Sequence, residues 1–430
     1  MAKASGAGKV FLFLQGPHGP FFYQLSKVLA LAGAQVFKVG FNRGDQAFWW
    51  DRHSYIPFTE PLETWPQTVR RLYREKGVTD IVLYGDTRFV HAQATAAARA
   101  LGLTIHCFEE GYLRPYWVTY ERGGVNGYSR LCNLDVAEMQ AEIRDRDLEL
   151  PDAPARWGDM RKHALYGALY HGFILFRNGD YKNYRTHRDI SVLQEFRLHF
   201  RRLLAIPLHA IQRRAATLRV RREGYVYHLA LLQLSHDSSI QAHSPLKSMP
   251  DFIRLVIENF ASGAPVHHHL VIKAHPLEDG RLPLRRIARR EAEKYGIAER
   301  VHFVRGGKLA GLLNFARSVV TVNSTAAQQA LWRGLPVKAF GAAVYRKPEF
   351  TSEQPLAEFY ADPWKPDARA YRDYRHYLLE TSQVSGGFYS AKSRRRLVRA
   401  VVDRVLDSQD PYDSLKTANE TPRQQLRVVK

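Results

Sequence analysis

The sequence predicts an α/β protein of two Rossmann-like domains facing a central cleft, with a basic helical insertion. Three observations carry that expectation. Apolar, β-branched runs alternate with helical stretches over residues 10–108 and again over 225–340, and strands that alternate with helices pair in parallel and wind doubly. The rhythm breaks between the two series, over residues 151–222. Several runs end in loops carrying Gly, Pro, His, Ser or Thr, at the carboxyl edge where open parallel sheets bind ligands.

In order, Val10-Phe11-Leu12-Phe13-Leu14 reads as a buried first strand ending in Gln15-Gly16-Pro17-His18-Gly19-Pro20. A helix follows to Ala32, with Gly33 as its stop. Residues 35–41 form a second strand, and residues 79–86 a third, followed by an Ala-rich helix to Leu101. Residues 104–108 form a fourth, which ends at Glu109-Glu110-Gly111-Tyr112-Leu113-Arg114-Pro115. Residues 156–222 then hold 15 Lys/Arg against four acids (Asp159, Asp180, Asp189 and Glu195), with aromatic residues interleaved from Trp157 to Phe200. The second series opens with a strand over 225–234 and continues through strands ending at His275, over 301–304, over 319–322 and over 336–340. Two such domains describe the GT-B architecture of many nucleotide-sugar transferases, although a fold alone does not fix a function. The expected division is an acceptor-side domain (1–150), the basic aromatic-rich segment (151–222), a donor domain (223–405) and a polar, frayed tail (406–430).

At 430 residues, 45% apolar and 12% aromatic, the chain can build two or three domains with sizeable cores and is globular rather than disordered. Cys107 and Cys132 are its only cysteines and form no CxxC pair, which argues against a disulfide framework or a cysteine zinc site and suits a reducing cytoplasm. The start is short and polar, and its first apolar run is too short for a signal peptide. No run approaches the roughly 18 uninterrupted apolar residues of a membrane span, so none is expected. The formal charge of +21, from 63 Lys+Arg against 42 Asp+Glu, calls for an anionic partner: nucleic acid, an anionic membrane surface, or acidic sugars and nucleotides. No RNP, KH or zinc-finger pattern supports nucleic acid.

Two strand ends carry groups suited to phosphate. Asn323-Ser324-Thr325 stands where a strand gives way to a helix, so Ser or Thr caps that helix and leaves N–H groups for an anion. Lys273-Ala274-His275-Pro276 brings a lysine and a histidine to another strand end. Ordinary capping accounts for each element alone; together they favour a nucleotide-phosphate site of Lys273, His275, Pro276, Asn323, Ser324 and Thr325. Glu109 and Glu110 could supply a general acid or base, each resisting ionisation beside the other, or form a surface pair balanced by Arg114. Asp237, just past the first strand of the second domain, could attack an anomeric carbon or stabilise an oxocarbenium-like transition state, or serve as an N-cap or Asx-turn residue. His18 sits in a Gly/Pro loop where backbone can approach a ligand. In His267-His268-His269 successive side chains alternate across a strand, so at most His267 and His269 share a face and no metal site is expected.

At these residues the chain resembles the KpsS/LipB-type capsule polysaccharide biosynthesis proteins of Gram-negative bacteria. The matching elements are Phe11-Leu12-Phe13-Leu14-Gln15-Gly16-Pro17-His18-Gly19-Pro20-Phe21-Phe22, Gly40-Phe41-Asn42-Arg43-Gly44-Asp45, Phe108-Glu109-Glu110-Gly111-Tyr112-Leu113-Arg114-Pro115, the segment 233–240, Lys273-Ala274-His275-Pro276 and Asn323-Ser324-Thr325. The resemblance implies a β-Kdo transferase, which moves Kdo (3-deoxy-manno-octulosonic acid) from CMP-β-Kdo to a lyso-phosphatidylglycerol acceptor and so starts the linker that carries capsule chains. Related transferases retain the anomeric configuration, which points to double displacement with a carboxylate nucleophile. By position, Asp237 is then the expected nucleophile, and Glu109 the acid/base with Glu110 in reserve. His275, Ser324 and Thr325 would hold the CMP phosphate with support from Lys273, and His18, Arg114 and Gln233 would contact substrate. Relatives often carry Asp-Ser-Gln-Ile where this chain has Asp237-Ser238-Ser239-Ile240, so any contact made by that glutamine is lost here.

The same resemblance implies no cofactor and no metal, a nucleotide-sugar donor, an anionic inner-membrane lipid acceptor, other capsule-assembly proteins as candidate partners, and no nucleic acid. The expected location is cytoplasmic, peripheral on the inner face of the inner membrane. There the basic segment would dock on an anionic leaflet, each basic residue contributing roughly 1 kcal/mol, with Tyr and Trp at headgroup level. The alternative is a helical insertion packed on the core with solvated basic faces. A CDP-glycerol-type polyol-phosphate transferase shares the two-domain plan and the phosphate groups but needs no glycosyl nucleophile, so Asp237 separates the two enzymes.

Overall fold

The computed structural model describes residues 5–144, 159–185, 223–234, 243–278, 280–306 and 308–416, with positions 194, 197–198, 207, 210–212, 214–218 and 240. The chain divides into two compact units. The first comprises Met1–Arg130, Gln140–Val192 and His376–Lys430, and the second Leu131–Met139 and Leu193–Arg375.

In the first unit, β1 (Val10–Phe13) is apolar throughout because both its faces are covered. Phe11 and Phe13 enter one core while Leu12 enters the other. α1 (Phe21–Leu31) buries Phe21, Phe22, Leu25 and Leu29, the helical spacing that puts one stripe on the sheet. β2 (Gln35–Gly40) leads into the short α2 (Arg43–Ala47), whose N-cap Asn42 accepts the Asp45 N–H at 2.9 Å. β3 (Tyr55–Pro57), α3 (Trp65–Glu75), β4 (Asp80–Tyr84), α4 (Phe89–Ala100) and β5 (Thr104–Glu110) complete the parallel series. β6 (Trp117–Arg122) turns back antiparallel to β5. α5 (Val136–Ile143), whose residues up to Met139 belong to the second unit, and α6 (Asp159–Arg177) follow.

The second unit repeats the winding. β7 (Val226–Leu231), α7 (Met249–Gly263), β8 (His268–Lys273), α8 (Leu284–Lys294), β9 (Val301–Val304), β10 (Ala316–Thr321), β11 (Val337–Ala339) and α9 (Leu356–Ala361) succeed one another. The strands lie in the order β11-β10-β7-β8-β9, all parallel. The order reverses between β7 and β10, where a doubly wound sheet opens its crevice.

The chain then returns to the first unit with β12 (Gln383–Ser385), α10 (Ala391–Leu406) and α11 (Pro411–Lys416). The first sheet therefore runs β12-β6-β5-β4-β1-β2-β3, with its own reversal between β1 and β4. This corrects the expected division, which left 223–405 in the donor domain and 406–430 as a frayed tail. β12 pairs antiparallel with β6, and α10 buries Leu397, Val398, Val401 and Val405 in the same core as Phe11 and Phe13. An amphipathic helix belongs wherever its apolar stripe is buried, and this stripe is buried on the first sheet. Tyr412 is also buried, and its hydroxyl donates to Glu121 at 2.8 Å, so order extends beyond 406. Among the described residues no helix is long and apolar enough to cross a membrane.

Candidate functional site

The second unit sets the side chains expected to hold a phosphate at the carboxyl ends of three neighbouring strands, β10, β7 and β8. Gln233, two residues past β7, clasps Asn323, two residues past β10. The Gln233 side-chain amide donates to Asn323 Oδ1 at 2.9 Å, and the Asn323 backbone N–H donates to Gln233 Oε1 at 3.1 Å. Both residues are buried, so this ring of two bonds fixes the separation of the loops beside the crevice. Ser324 caps a 3-10 turn (Thr325–Ala327) that runs directly into a short helix (Gln328–Leu331), as expected of a capping residue, and accepts the Ala326 N–H at 3.3 Å. Thr325 is half-buried at the head of that turn.

Lys273 is the last residue of β8, and its buried ammonium lies 3.5 Å from the Ala274 carbonyl oxygen. His275 follows at the turn through Pro276, and its Nδ1 accepts the Leu277 N–H at 3.1 Å. The neutral ring therefore carries its proton on Nε2, as a donor. Asp237, the expected nucleophile, lies outside the described residues, as do Ser235, His236, Ser238 and Ser239. The neighbouring histidines divide as alternation requires: His268 Nδ1 is 3.1 Å from His228 Nε2, and His269 Nδ1 is 2.9 Å from His302 Nε2.

In the first unit, Glu109 and Glu110 are the last two residues of β5, not part of the loop after it. Adjacent strand residues face opposite ways, and the two carboxyls have different neighbours. Glu109 Oε1 accepts the Glu110 N–H at 2.9 Å. Burial, reinforced by the Glu110 charge and opposed by Arg114 and Arg88, pushes the Glu109 carboxyl up to about 7. Gly85 stands beside it with φ 66°; a Cβ there would lie 3.1 Å from Glu109 Oε2. Glu110 instead accepts from the hydroxyls of Tyr84 at 3.4 Å and Tyr389 at 3.2 Å. Arg114 is exposed and donates through Nε to the Gly111 carbonyl at 3.1 Å. A carboxyl that is half ionised near neutrality, at the ligand edge of a sheet, can take or give a proton at physiological pH.

His18 stacks on Tyr170 of α6, with ring centroids 4.3 Å apart. The segment Gly40-Phe41-Asn42-Arg43-Gly44-Asp45 explains that contact, because it forms a socket for α6. The Tyr170 hydroxyl donates to Asp45 Oδ1 at 3.1 Å and accepts from Asn42 Nδ2 at 2.8 Å. Gly44 has no side chain because a Cβ would come within 2.7 Å of the Tyr170 ring. Arg43 reaches Asn178 and Asp180 just beyond α6, through its N–H at 2.9 Å and its guanidinium at 3.2 Å. The first part of the basic insertion is thus packed on the first unit.

Sequence reasoning missed Arg88, Tyr84 and Tyr389. Arg88 was within reach: it follows Gly85-Asp86-Thr87 at the end of the third expected strand, the position from which a cation meets a ligand at the sheet edge. Tyr389 had no such signal, since it comes from the unexpected return of the chain.

Comparison with known proteins gives the family of the chain. The chain is 34% identical over 391 residues to the capsule polysaccharide export protein KpsS of Escherichia coli, covering 89% of this chain and 97% of that one. It is 30% identical over 390 residues to the capsule polysaccharide modification protein LipB of Neisseria meningitidis serogroup A, covering 88% and 91%. Among solved structures, the β-Kdo 2,7 transferase of Thermosulfurimonas dismutans KpsC aligns with 85% of this chain and 99% of its own, at 13% identity and a TM-score of 0.36, too loose a likeness to transfer chemistry. Residues 79–389 match the family described as capsule polysaccharide biosynthesis protein, and the chain belongs to that family.

Proposed function

We propose that this capsule polysaccharide biosynthesis protein is a retaining glycosyltransferase that moves Kdo from CMP-β-Kdo to a lyso-phosphatidylglycerol acceptor. The observation that carries the reading is the Glu109 carboxyl, lifted to about 7 at the carboxyl edge of the first sheet. The donor loops of the second unit support it, with Gln233 and Asn323 clasped beside Ser324, Thr325, Lys273 and His275.

In the first step the Asp237 carboxylate attacks C2 of Kdo, and the C2–O bond to the CMP phosphate breaks with its electron pair leaving on CMP. The hydroxyls of Ser324 and Thr325, the Nε2 proton of His275 and the Lys273 ammonium would take up that charge. In the second step Glu109 removes the proton from an acceptor hydroxyl, whose oxygen forms the new bond to C2 as the bond to Asp237 breaks. Two inversions retain configuration, and Glu109 returns its proton to solvent. Attachment to the inner face of the membrane is part of the proposal. Leu165, Leu169, Phe173 and Phe176 are exposed at helical spacing on α6, near the exposed Arg161, Lys162, Arg177 and Lys182, the composition that lies on an anionic surface.

The test is product mass after incubation with CMP-β-Kdo, generated in situ, and a fluorescent lyso-phosphatidylglycerol. A product heavier by one Kdo with wild type, and none with Asp237→Ala, is expected. No product with wild type, or transfer from CDP-glycerol in its place, would overturn the reading.

A further inference from the structure

A small, open cleft, whose space is about 550 Å³ only when the solvent at its mouth is included, lies in the first unit where β1 to β4 end. Gln15 follows β1, Phe41 follows β2, Phe58 follows β3, and Arg88 and Phe89 follow β4, so the cleft occupies the ligand edge of the sheet beside its reversal between β1 and β4. Its walls are apolar, from Phe41, Phe58, Leu62 and Val90, and Asn183, Tyr184 and Arg185 border it from the stretch beyond α6. Asn183 is held there by donating to the Thr59 carbonyl at 2.8 Å.

The charged groups of the cleft are unevenly satisfied. Glu60, the acid in its lining, accepts the Thr64 and Thr68 hydroxyls at 2.9 and 3.0 Å and has Arg71 3.7 Å away. Among the described residues, Arg185 has only a loose, exposed pairing with Glu63 at 3.6 Å. Arg88 has no carboxylate partner among the described residues and lies over the Tyr84 ring at 6.0 Å, half-buried. A half-buried guanidinium that makes no ion pair with a carboxylate keeps its fork of donors available to an anion. Arg88 is also the N-cap residue of α4, whose first turn has neither an acidic residue nor a side-chain cap, which adds to the local positive potential. Arg88 is close enough to Glu109 for its charge to act on that carboxyl.

We infer that this cleft binds a phosphate-bearing amphiphile, with Arg88 and Arg185 on the phosphate and the apolar chain against Phe41, Phe58, Leu62 and Phe89. The inference rests on the transfer reading for the identity of its ligand as the acceptor. It adds where the acceptor sits: the phosphate on Arg88 brings the glycerol hydroxyls toward Glu109.

The test is binding of fluorescent lyso-phosphatidylglycerol, below its micellar concentration, to the full chain without donor. Glycerol 3-phosphate, inorganic phosphate and a monoacylglycerol of the same chain length serve as competitors. Lyso-phosphatidylglycerol is expected to bind at least about tenfold more tightly than any of the three, since each lacks the chain or the charge. Arg88→Gln should weaken it by about tenfold or more at an unchanged melting temperature. Phe89→Ala should weaken the lipid and leave glycerol 3-phosphate competition unaltered. Equal binding by wild type and Arg88→Gln would overturn the inference, as would inorganic phosphate or the monoacylglycerol binding as tightly as the lipid. Arg88-dependent binding without any Kdo transfer would sink the transfer reading alone. Kdo transfer with a lipid KM unchanged by Arg88→Gln would sink the cleft alone.

Discussion

Glu121→Gln should make the protein more stable at alkaline pH, although it removes a carboxylate that accepts three hydrogen bonds. Glu121 lies on β6 and is 1% exposed. Its carboxylate accepts the hydroxyls of Tyr112 at 2.7 Å, Tyr412 at 2.8 Å and Ser129. Burial still outweighs those three bonds and pushes the group up to about 7 from an ordinary 4.5. At 1.36 kcal/mol per unit, holding it ionised costs the folded state about 3 kcal/mol. A carboxyl raised on folding contributes stability that is full below the unfolded value and is lost as pH rises through the folded one. The window therefore runs from about pH 4.5 to about 7.

Glutamine keeps the shape and one acceptor and cannot ionise. The variant should match wild type near pH 5 and exceed it by as much as about 3 kcal/mol near pH 8. Glu109 carries a similar shift but is present in both proteins, so it cancels in the difference. Denaturant unfolding of the two proteins at a series of pH values measures that difference directly. A difference that stays flat to within about 0.5 kcal/mol from pH 5 to 8 would refute the claim that burial, rather than the hydroxyl cluster, governs this carboxyl.

Glu109→Gln should lower Kdo transfer by about 10²–10⁴-fold and abolish the fall in wild-type kcat/KM as pH drops through about 7, read from initial rates. Tyr170→Phe leaves the buried Asp45 short of one donor and Asn42 short of one acceptor. It should cost about 1–3 kcal/mol in unfolding free energy by denaturant titration, without changing CMP binding. Replacing Leu169 and Phe176 together by Ser should weaken sedimentation with vesicles containing phosphatidylglycerol while the melting temperature holds, since both side chains are exposed.

What the sequence revealed and what it hid divide along physical lines. Long apolar runs such as Val10 to Leu14 and the strand before Asn323 announce parallel strands because both faces of such a strand are buried, and those elements stand where expected. β3 has only three residues and ends in Pro57, too short for any period to register. The return of the chain through β12 and α10 was hidden for another reason: an amphipathic helix specifies that it has a partner but not which sheet provides it. Among site residues, Gln233 and Asn323 were named as separate contacts, and their mutual clasp depends on β7 and β10 being neighbours, which only the strand order reveals. The motif at 40–45 was legible as a motif but not as a socket, because its partner Tyr170 lies 125 residues from Asp45.

Glu109 and Glu121 make the final step possible, since both carboxyls are raised to about 7 in one sheet, both chiefly by burial. A shifted pKa alone therefore does not distinguish a reacting group from a structural one. Their surroundings do. Glu121 is enclosed and its oxygens are occupied by three hydroxyls, so a proton it gained would have nowhere to go and no substrate to come from. Glu109 is half-buried at the strand's carboxyl end, held by one backbone N–H, with Gly85 leaving room beside it and Arg88 linking it electrostatically to a cleft. The same perturbation marks a fastener in the first case and, under the proposed transfer, a base in the second. The two substitutions to Gln separate them, because one should change the pH dependence of folding and the other the pH dependence of turnover.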